Sequence, residues 1–147
     1  MTIGFPIGLC ADHAGFLMKE FIKQLLDNKG ISYRDFGTFS AASVDYPDFA
    51  HPLALAVEKG EVQAGIACCG SGNGICMTLN KHQAIRSALC WTEQLAALSR
   101  LHNDANILAI PARFVSQNET EKMVNAFLSI SFEGGRHAKR IAKIPVQ

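Results

Sequence analysis

The sequence predicts an α/β protein, a three-layer α/β/α sandwich built on a five-stranded parallel, Rossmann-like sheet. Five short apolar segments alternate along the chain with segments of helical periodicity, a pattern typical of parallel sheets with helices on both faces. The chain has 147 residues, 48% of them hydrophobic and 18% charged, which is enough for one domain with a full core. We therefore expect a single domain over residues 1–147, without repeats or linkers.

The order of the predicted elements follows from apolar periodicity and from the residues that begin or end each helix. Gly30 ends the first helix, and Pro52 leaves the start of the second helix open. Asn118 with Glu121 resembles a capping box for the fifth helix, and glycines at 134–135 separate it from a basic last helix. The expected strands are 7–10, 31–36, 64–68, 84–90 and 106–110, and the expected helices are 16–29, 49–58, 75–81, 93–101, 118–130 and 136–143.

Charge and cysteine usage exclude several classes of function. The formal net charge of +1 gives no basis for binding nucleic acid or an anionic membrane. No apolar run approaches the ~20 residues that a membrane-spanning helix needs. The five cysteines lack ligand spacing, and neither a CxxC nor an HxxxH pattern occurs. We therefore predict no metal site, and reduced thiols in a cytoplasmic protein.

The segment of residues 64–74, AGIACCGSGNG, is predicted to form the functional centre. A buried strand ends near Cys69, and Gly70, Gly72 and Gly74 then allow tight turns that aim backbone amides at an anion. The positive end of the following helix adds to that field, so we expect the Cys69 thiol to ionise readily to the thiolate. The alternative is an inert, half-buried thiol at a strand end.

Other polar residues are candidates with structural alternatives. Asp12–His13 could form a hydrogen-bonded pair at a helix start, and His102 could be a histidine that the helix dipole favours. Arg136 and Arg140 share one helix face, which suits either a phosphate group or a solvated basic tail. The loops ADHAG, CCGSGNG and LHNDAN are all expected at the carboxyl ends of the strands, where ligands bind in such sheets.

Seven motifs carry a resemblance to a known family. They are DHAG at 12–15, DYP at 45–47, CGSGNG at 69–74, NK at 80–81, IR at 85–86, HNDAN at 102–106 and FEGGRHAKR at 132–140. In this order they resemble the ribose-5-phosphate isomerase B family, which includes allose- and galactose-phosphate isomerases, and the resemblance covers nearly the whole chain. It implies an aldose–ketose isomerisation of a phosphorylated sugar through an enediol(ate), without metal or cofactor.

The resemblance also implies roles for individual residues. Cys69 matches the base that moves a proton between C1 and C2, His102 matches the group that opens the furanose ring, and Asp12 matches a group handling hydroxyl protons. The oxyanion-stabilising loop corresponds to Ser71 with the amides of Gly70, Gly72, Asn73 and Gly74. Further matches are Tyr46 and Asn103 on the sugar, and His13, Arg113, Arg136 and Arg140 on the phosphate. The family's site is shared between two subunits, which implies a homodimer or a dimer of dimers.

Two departures from the family's pattern bear on this expectation. Many members carry threonine in place of Ser71, but the hydroxyl survives. Ile75 stands where a branch without the cysteine has a catalytic glutamate, so this chain is expected in the thiolate class. Three rivals remain: a hexose-6-phosphate isomerase with the same chemistry, a non-catalytic sugar-phosphate-binding protein, and a redox-sensing thiol protein built on Cys68 and Cys69.

Overall fold

The protein, seen in a computed structural model that describes residues 3–147, is built on one five-stranded sheet. Its strands, all parallel, lie in the order β2-β1-β3-β5-β4. In chain order they are β1 (Ile7–Ala11), β2 (Tyr33–Asp35), β3 (Ala64–Cys69), β4 (Ser87–Leu89) and β5 (Ile107–Pro111). The central strands β1, β3 and β5 are buried along their whole length, because helices cover both faces of the sheet.

Six helices within the described span cover the sheet. They are α1 (Phe16–Asn28), α2 (Pro47–Glu58), α3 (Asn73–Leu79), α4 (Glu93–Asn103), α5 (Gln117–Ser129) and α6 (Arg136–Ile141). Helices α1, α4 and α5 contribute to the core on one face of the sheet, and α2 and α3 to the core on the other. The predicted three-layer sandwich with a five-stranded parallel sheet is confirmed. From residue 3 onward, no helix has both the length and the hydropathy that spanning a membrane would require.

Strand pleating separates the two adjacent cysteines of β3. Ile66 and Cys68 point into the core beneath α1, α4 and α5, whereas Ala67 and Cys69 point into the core beneath α2 and α3. Neighbouring side chains on a strand alternate between the two faces of the sheet. Cys69 is therefore aimed at the layer that holds α3 and the glycine loop.

Several element boundaries differ from the sequence prediction. Helix α2 begins at Pro47, in the first-turn position that proline tolerates, and it contains Pro52 as well. The predicted capping box at Asn118 is wrong: the Ser116 side chain caps α5, its Oγ accepting the Glu119 amide hydrogen at 3.0 Å. Helix α3 begins two residues earlier than predicted, and helix α6 ends two residues earlier than predicted.

A buried lysine ties α1 to the short edge strand β2. The Lys19 side chain is 1% exposed, and its ammonium pairs with the Asp35 carboxylate, which Lys23 also contacts at 3.1 Å. The Lys19 ammonium lies 5.6 Å from the ring centroid of Phe16 and 5.2 Å from that of Phe39. Because a buried cation needs a counterion, this pair fixes the segment that leads from β2 towards α2.

Candidate active site

A cavity of about 540 Å³ opens at the carboxyl edge of the sheet. Strands β1, β3 and β5 are neighbours, so the loops that follow them meet at this edge. The cavity walls bring together eight of the predicted site residues: Asp12, His13, Tyr46, Cys69, Gly70, Ser71, Gly74 and Arg113. Residues from four separated parts of the chain therefore form one polar cavity around a single thiol.

The Cys69 side chain differs from the other cysteines in its surroundings. It is the last residue of β3, 4% exposed, and it lines the cavity. Burial raises the pKa of the neighbouring Cys68 thiol and of Cys10, and it raises the pKa of Cys90 to about 11. Those three thiols point into the packed cores on either face. Cys76, on α3, is only partly buried, but burial still raises its pKa and its thiol donates to the Ser87 carbonyl at 3.4 Å. Cys69 is thus the cysteine that lines the cavity at the carboxyl edge.

The glycine loop turns sharply into α3. Gly72 has a φ of 75°, in the left-handed region that favours glycine, and it precedes the first helical residue, Asn73. The Ser71 hydroxyl accepts a hydrogen bond from the Asn73 amide at 3.2 Å. The first amides of a helix have no acceptor within the helix. Because Ser71 accepts the Asn73 amide, the next amide, that of the cavity-lining Gly74, is the one available to an anionic oxygen. Gly72 and Asn73 do not line the cavity themselves.

Asp12 and His13 are held by different partners. The buried Asp12 carboxylate accepts a hydrogen bond from the Gly15 amide at 3.0 Å, which fixes it at the start of α1. The His13 Nδ1 atom lies 3.2 Å from both the backbone nitrogen and the oxygen of Val44. The two side chains are therefore not a mutually bonded pair, and His13 instead holds the loop that leads to Tyr46.

Tyr46 and Arg113 border the glycine loop from two sides. The Tyr46 ring packs against Gly74 so closely that a Cβ atom there would lie 2.4 Å from Cζ. The Arg113 amide donates to the Gly70 carbonyl at 3.0 Å, and its guanidinium runs along Gly70. An exposed cation and a phenol thus border the loop that carries the thiol.

Four predicted residues lie at the opposite, amino edge of the sheet: His102, Asn103, Arg136 and Arg140. His102 and Asn103 end α4, which returns the chain from β4 to the start of β5, so the expectation that the LHNDAN loop lies at the carboxyl ends is wrong. The Asn103 carbonyl accepts a hydrogen bond from Arg86, which precedes β4, at 3.0 Å. Strands of five or six residues separate the two edges by about 16–20 Å. One chain cannot bring His102 to its own Cys69.

His102 stands in a second group of side chains at that amino edge. Its ring stacks on His137, with centroids 4.2 Å apart, and both Nε2 atoms lie near the Glu133 carboxylate, at 3.7 and 3.6 Å. Burial, with His102 and Arg136 nearby, lowers the pKa of His137. Arg136 and Arg140 lie on α6 beside this group, and both are exposed.

Sequence reasoning missed several neighbours of the predicted residues. Ser43, Val44 and Asp45 line the cavity, and the DYP motif had pointed to the last of them. Glu133 and His137 contact His102, and their spacing of four within the FEGGRHAKR motif was the available signal. A larger cavity, about 660 Å³, runs along β4, and Asn103 is the predicted site residue on its wall. Its walls also carry Lys81, Arg86 and Cys90, but neither the glycine loop nor Cys69.

Comparison with known proteins identifies the family. A family model described as Ribose/Galactose Isomerase matches residues 7–144. The chain belongs to this family. Probable ribose-5-phosphate isomerase B of Mycoplasma genitalium is 42% identical over 144 residues, covering 97% of this chain and 95% of the relative. Ribose-5-phosphate isomerase B of Escherichia coli is 42% identical over 138 residues, covering 94% of this chain and 93% of the relative.

Solved structures agree with the isomerase family in fold. A Clostridium thermocellum ribose-5-phosphate isomerase B superposes with a TM-score of 0.93 at 45% identity, covering 94% of this chain and 93% of its own. The Mycoplasma genitalium enzyme with bound ribulose-5-phosphate gives a TM-score of 0.91 at 42% identity, covering 97% and 95%. The family predicted from the seven motifs is confirmed.

Proposed function

We propose that this chain interconverts ribose 5-phosphate and ribulose 5-phosphate by moving one proton between C1 and C2 through an enediolate. One observation carries the proposal: the Cys69 thiol, the glycine loop and the Asp12 carboxylate line one cavity at the carboxyl edge of the sheet. Membership of the isomerase family supports the class of reaction. Relatives at 42% identity that are named ribose-5-phosphate isomerase B support the pentose as substrate.

Cys69 is the proposed base. Its thiolate takes the proton from C2 of the open-chain aldose and returns it to C1, while the O2 hydroxyl loses a proton and O1 gains one. The proposed donors to the developing oxyanion are the Ser71 hydroxyl and the amides of the loop and of the first turn of α3. Asp12, fixed by its bond from Gly15, is the proposed carrier of the hydroxyl proton.

The phosphate group is assigned to basic side chains at the rim of the cavity. Arg113 and His13 both line the cavity wall, and a guanidinium binds phosphate oxygens by two parallel hydrogen bonds. Arg136 and Arg140 of a second copy are proposed to complete the phosphate site. This assignment is supported by their exposure on α6, which leaves both guanidinium groups accessible to a ligand.

We infer a homodimer or a dimer of dimers in which each site is shared. Within one chain His102 and Asn103 lie at the opposite edge of the sheet from Cys69, so a second copy must supply them. A two-fold axis that sets the amino edge of one sheet against the carboxyl edge of the other creates two equal sites. His102 then opens the furanose ring, and Asn103 contacts the sugar together with Tyr46 of the first copy.

The proposed reaction uses proton transfer alone, so no cofactor takes part in it. We place the protein in the cytoplasm, since its five cysteines are all free thiols, which persist in a reducing compartment. The expected small-molecule partner is the phosphorylated sugar, and no partner from nucleic acid or membrane is proposed.

The test is turnover of ribose 5-phosphate beside allose 6-phosphate and galactose 6-phosphate, with EDTA present. We expect the pentose to have the highest kcat/KM, and Cys69→Ser to lower kcat by about 10²–10⁴-fold, the range of general-base catalysis. Turnover of a hexose phosphate alone would support the proposed mechanism but would contradict the assignment of the pentose as substrate. Tight binding of ribose 5-phosphate without turnover would identify a binding protein instead. Cys68→Ala, which alters the neighbouring thiol on the other face, is the matched control.

Mixing two inactive variants tests the shared site. Cys69→Ser and His102→Asn each remove one half of the proposed site, and unfolding and refolding them together forms mixed dimers. With random pairing, half of the dimers are mixed and each has one intact site of two, so about a quarter of wild-type activity should return. No recovery, with mixed dimers present by native mass spectrometry, would mean that each site is built within one chain.

A further inference from the structure

Three metal-ligating side chains converge at the amino edge of the sheet, in what we call the His–Glu–His cluster: His102, Glu133 and His137. One ring nitrogen of each histidine and one carboxylate oxygen of Glu133 all lie within 4.8 Å of one another. The carboxylate oxygen is 3.7 Å from the first nitrogen and 3.6 Å from the second. Glu133 and His137 are four positions apart in the chain, but His102 is more than thirty positions from both, so spacing alone could not join it to them.

The backbone holds the cluster in place before any ligand arrives. The Glu133 amide donates to the Leu101 carbonyl at 3.0 Å, which joins the segment after α5 to the end of α4. The His137 ring is buried, and its amide donates to the Gly134 carbonyl at 3.2 Å. The backbone is therefore fixed at Glu133 by the end of α4, and at His137 by its own turn.

The ligand types fit a zinc ion, and the two carboxylate–imidazole distances are close to those that it needs. Two histidines and one glutamate form a known zinc donor set, and tetrahedral coordination at bond lengths near 2.0–2.1 Å places ligand atoms about 3.3–3.4 Å apart. The two carboxylate–imidazole distances need to shorten by only about 0.3 Å to meet that geometry. The imidazole planes are inclined by 12°, so the His102 ring, which is 39% exposed, must turn towards the common point. Three ligands leave a fourth position for water.

We propose that the His–Glu–His cluster binds Zn²⁺ and that the bound ion inhibits the isomerase. Coordination takes the His102 Nε2 lone pair, which ring opening of the sugar requires, and it adds a charge beside Arg136. Imidazole ligands prefer Zn²⁺ to Mg²⁺, whose preferred ligands are oxygen atoms, so Mg²⁺ does not compete. The inhibition half of this proposal rests on the proposed function of His102, whereas the binding half does not.

Direct zinc binding is measured first, because it needs no activity. Purified metal-free protein is titrated with Zn²⁺ by isothermal titration calorimetry, and the absorption of bound Co²⁺ reports imidazole coordination. We expect one ion per chain, and Glu133→Gln or His137→Asn should weaken binding at least tenfold, since even outer-shell partners of a metal contribute that much. Glu133 is 59% exposed, so its replacement leaves the core intact. His82→Asn removes a histidine elsewhere and should leave the affinity unchanged.

Inhibition is measured next, with each variant compared with its own rate in EDTA. Wild-type turnover of ribose 5-phosphate should fall as Zn²⁺ rises and return with EDTA, and Glu133→Gln should need at least tenfold more Zn²⁺. Zinc binding that survives Glu133→Gln and His137→Asn but is lost in Cys69→Ser would overturn the proposal, because the thiol would then be the ligand. Zinc bound at the cluster without inhibition would overturn its second half. A chain that binds zinc at the cluster but turns over no sugar would disprove the proposed function alone.

Discussion

Replacing Gly74 by alanine should disable the site without unfolding the protein. The new Cβ atom would lie 2.4 Å from Tyr46 Cζ, 2.7 Å from Cε1 and 2.8 Å from the hydroxyl oxygen. Carbon atoms in contact prefer about 3.5–4.0 Å, so the ring must retreat by about 1 Å. The ring can do so, because Tyr46 is 38% exposed and the opening faces solvent.

The stability and the activity of this variant should change by different amounts. Alanine is favoured over glycine in a helix by up to about 1 kcal/mol, and a displaced tyrosine rotamer costs about as much. We therefore expect the free energy of unfolding to change by less than about 1 kcal/mol. A 1 Å misplacement of a positioning group costs about 10²-fold in rate, so kcat/KM for ribose 5-phosphate should fall towards that factor.

A double-mutant cycle with Tyr46→Ala tests the cause of the loss. In the Tyr46→Ala background there is no ring to displace, so Gly74→Ala should lower kcat/KM by little more. An equal loss in both backgrounds, or full activity in Gly74→Ala, would refute the argument. Gly72→Ala is the contrasting control: its φ of 75° and a Leu89 Cδ1 atom 2.4 Å away predict a loss of about 2 kcal/mol in stability.

Two further predictions concern thiol reactivity and the buried ion pair. Iodoacetamide should modify Cys69 first, because burial raises the pKa of Cys68 and of the partly exposed Cys76, and raises that of Cys90 to about 11. Ribose 5-phosphate should slow the reaction, and peptide mass spectrometry identifies the modified cysteine. Asp35→Asn should cost up to about 3 kcal/mol at neutral pH, because the buried Lys19 ammonium would lose its nearer carboxylate and keep the 36% exposed Glu20, at 3.3 Å, as an ionic partner. Burial opposes ionisation of Asp35, but its hydrogen bond from Lys19 prevails and its pKa is lowered. In urea titrations the free energy of unfolding of the wild type should therefore fall as the pH drops below about 4, because Asp35 becomes protonated. Asp35→Asn should not show this fall.

The fold could be predicted because its signals are local and repeated. Each central strand is an uninterrupted apolar run, and the longer helices carry an apolar stripe, so the parallel sheet follows from their alternation. The boundaries could not be fixed as well, since competing signals lie side by side. Ser116 and Asn118 are both good capping residues, and only the path of the chain after β5 decides that Ser116 caps α5.

The cavity could be predicted in part. Asp12 follows β1 and Cys69 ends the neighbouring strand β3, so the two residues are close together at the carboxyl edge of the sheet. The packing of Tyr46 on Gly74 could not be foreseen, because it depends on the path of a loop with no periodicity. Likewise, the stacking of His102 on His137 joins two helices whose relative position depends on tertiary packing alone.

The error over the LHNDAN loop has an instructive physical cause. In a parallel α/β fold every loop from a strand to a helix lies at the carboxyl edge, and every loop from a helix to a strand lies at the amino edge. HNDAN spans the end of α4 and the turn that leads into β5, so the chain order already assigns it to the amino edge. Two sets of polar motifs at opposite edges of one sheet cannot serve one small substrate within a single chain. The same rule that corrects the prediction thus argues that a second copy completes the site.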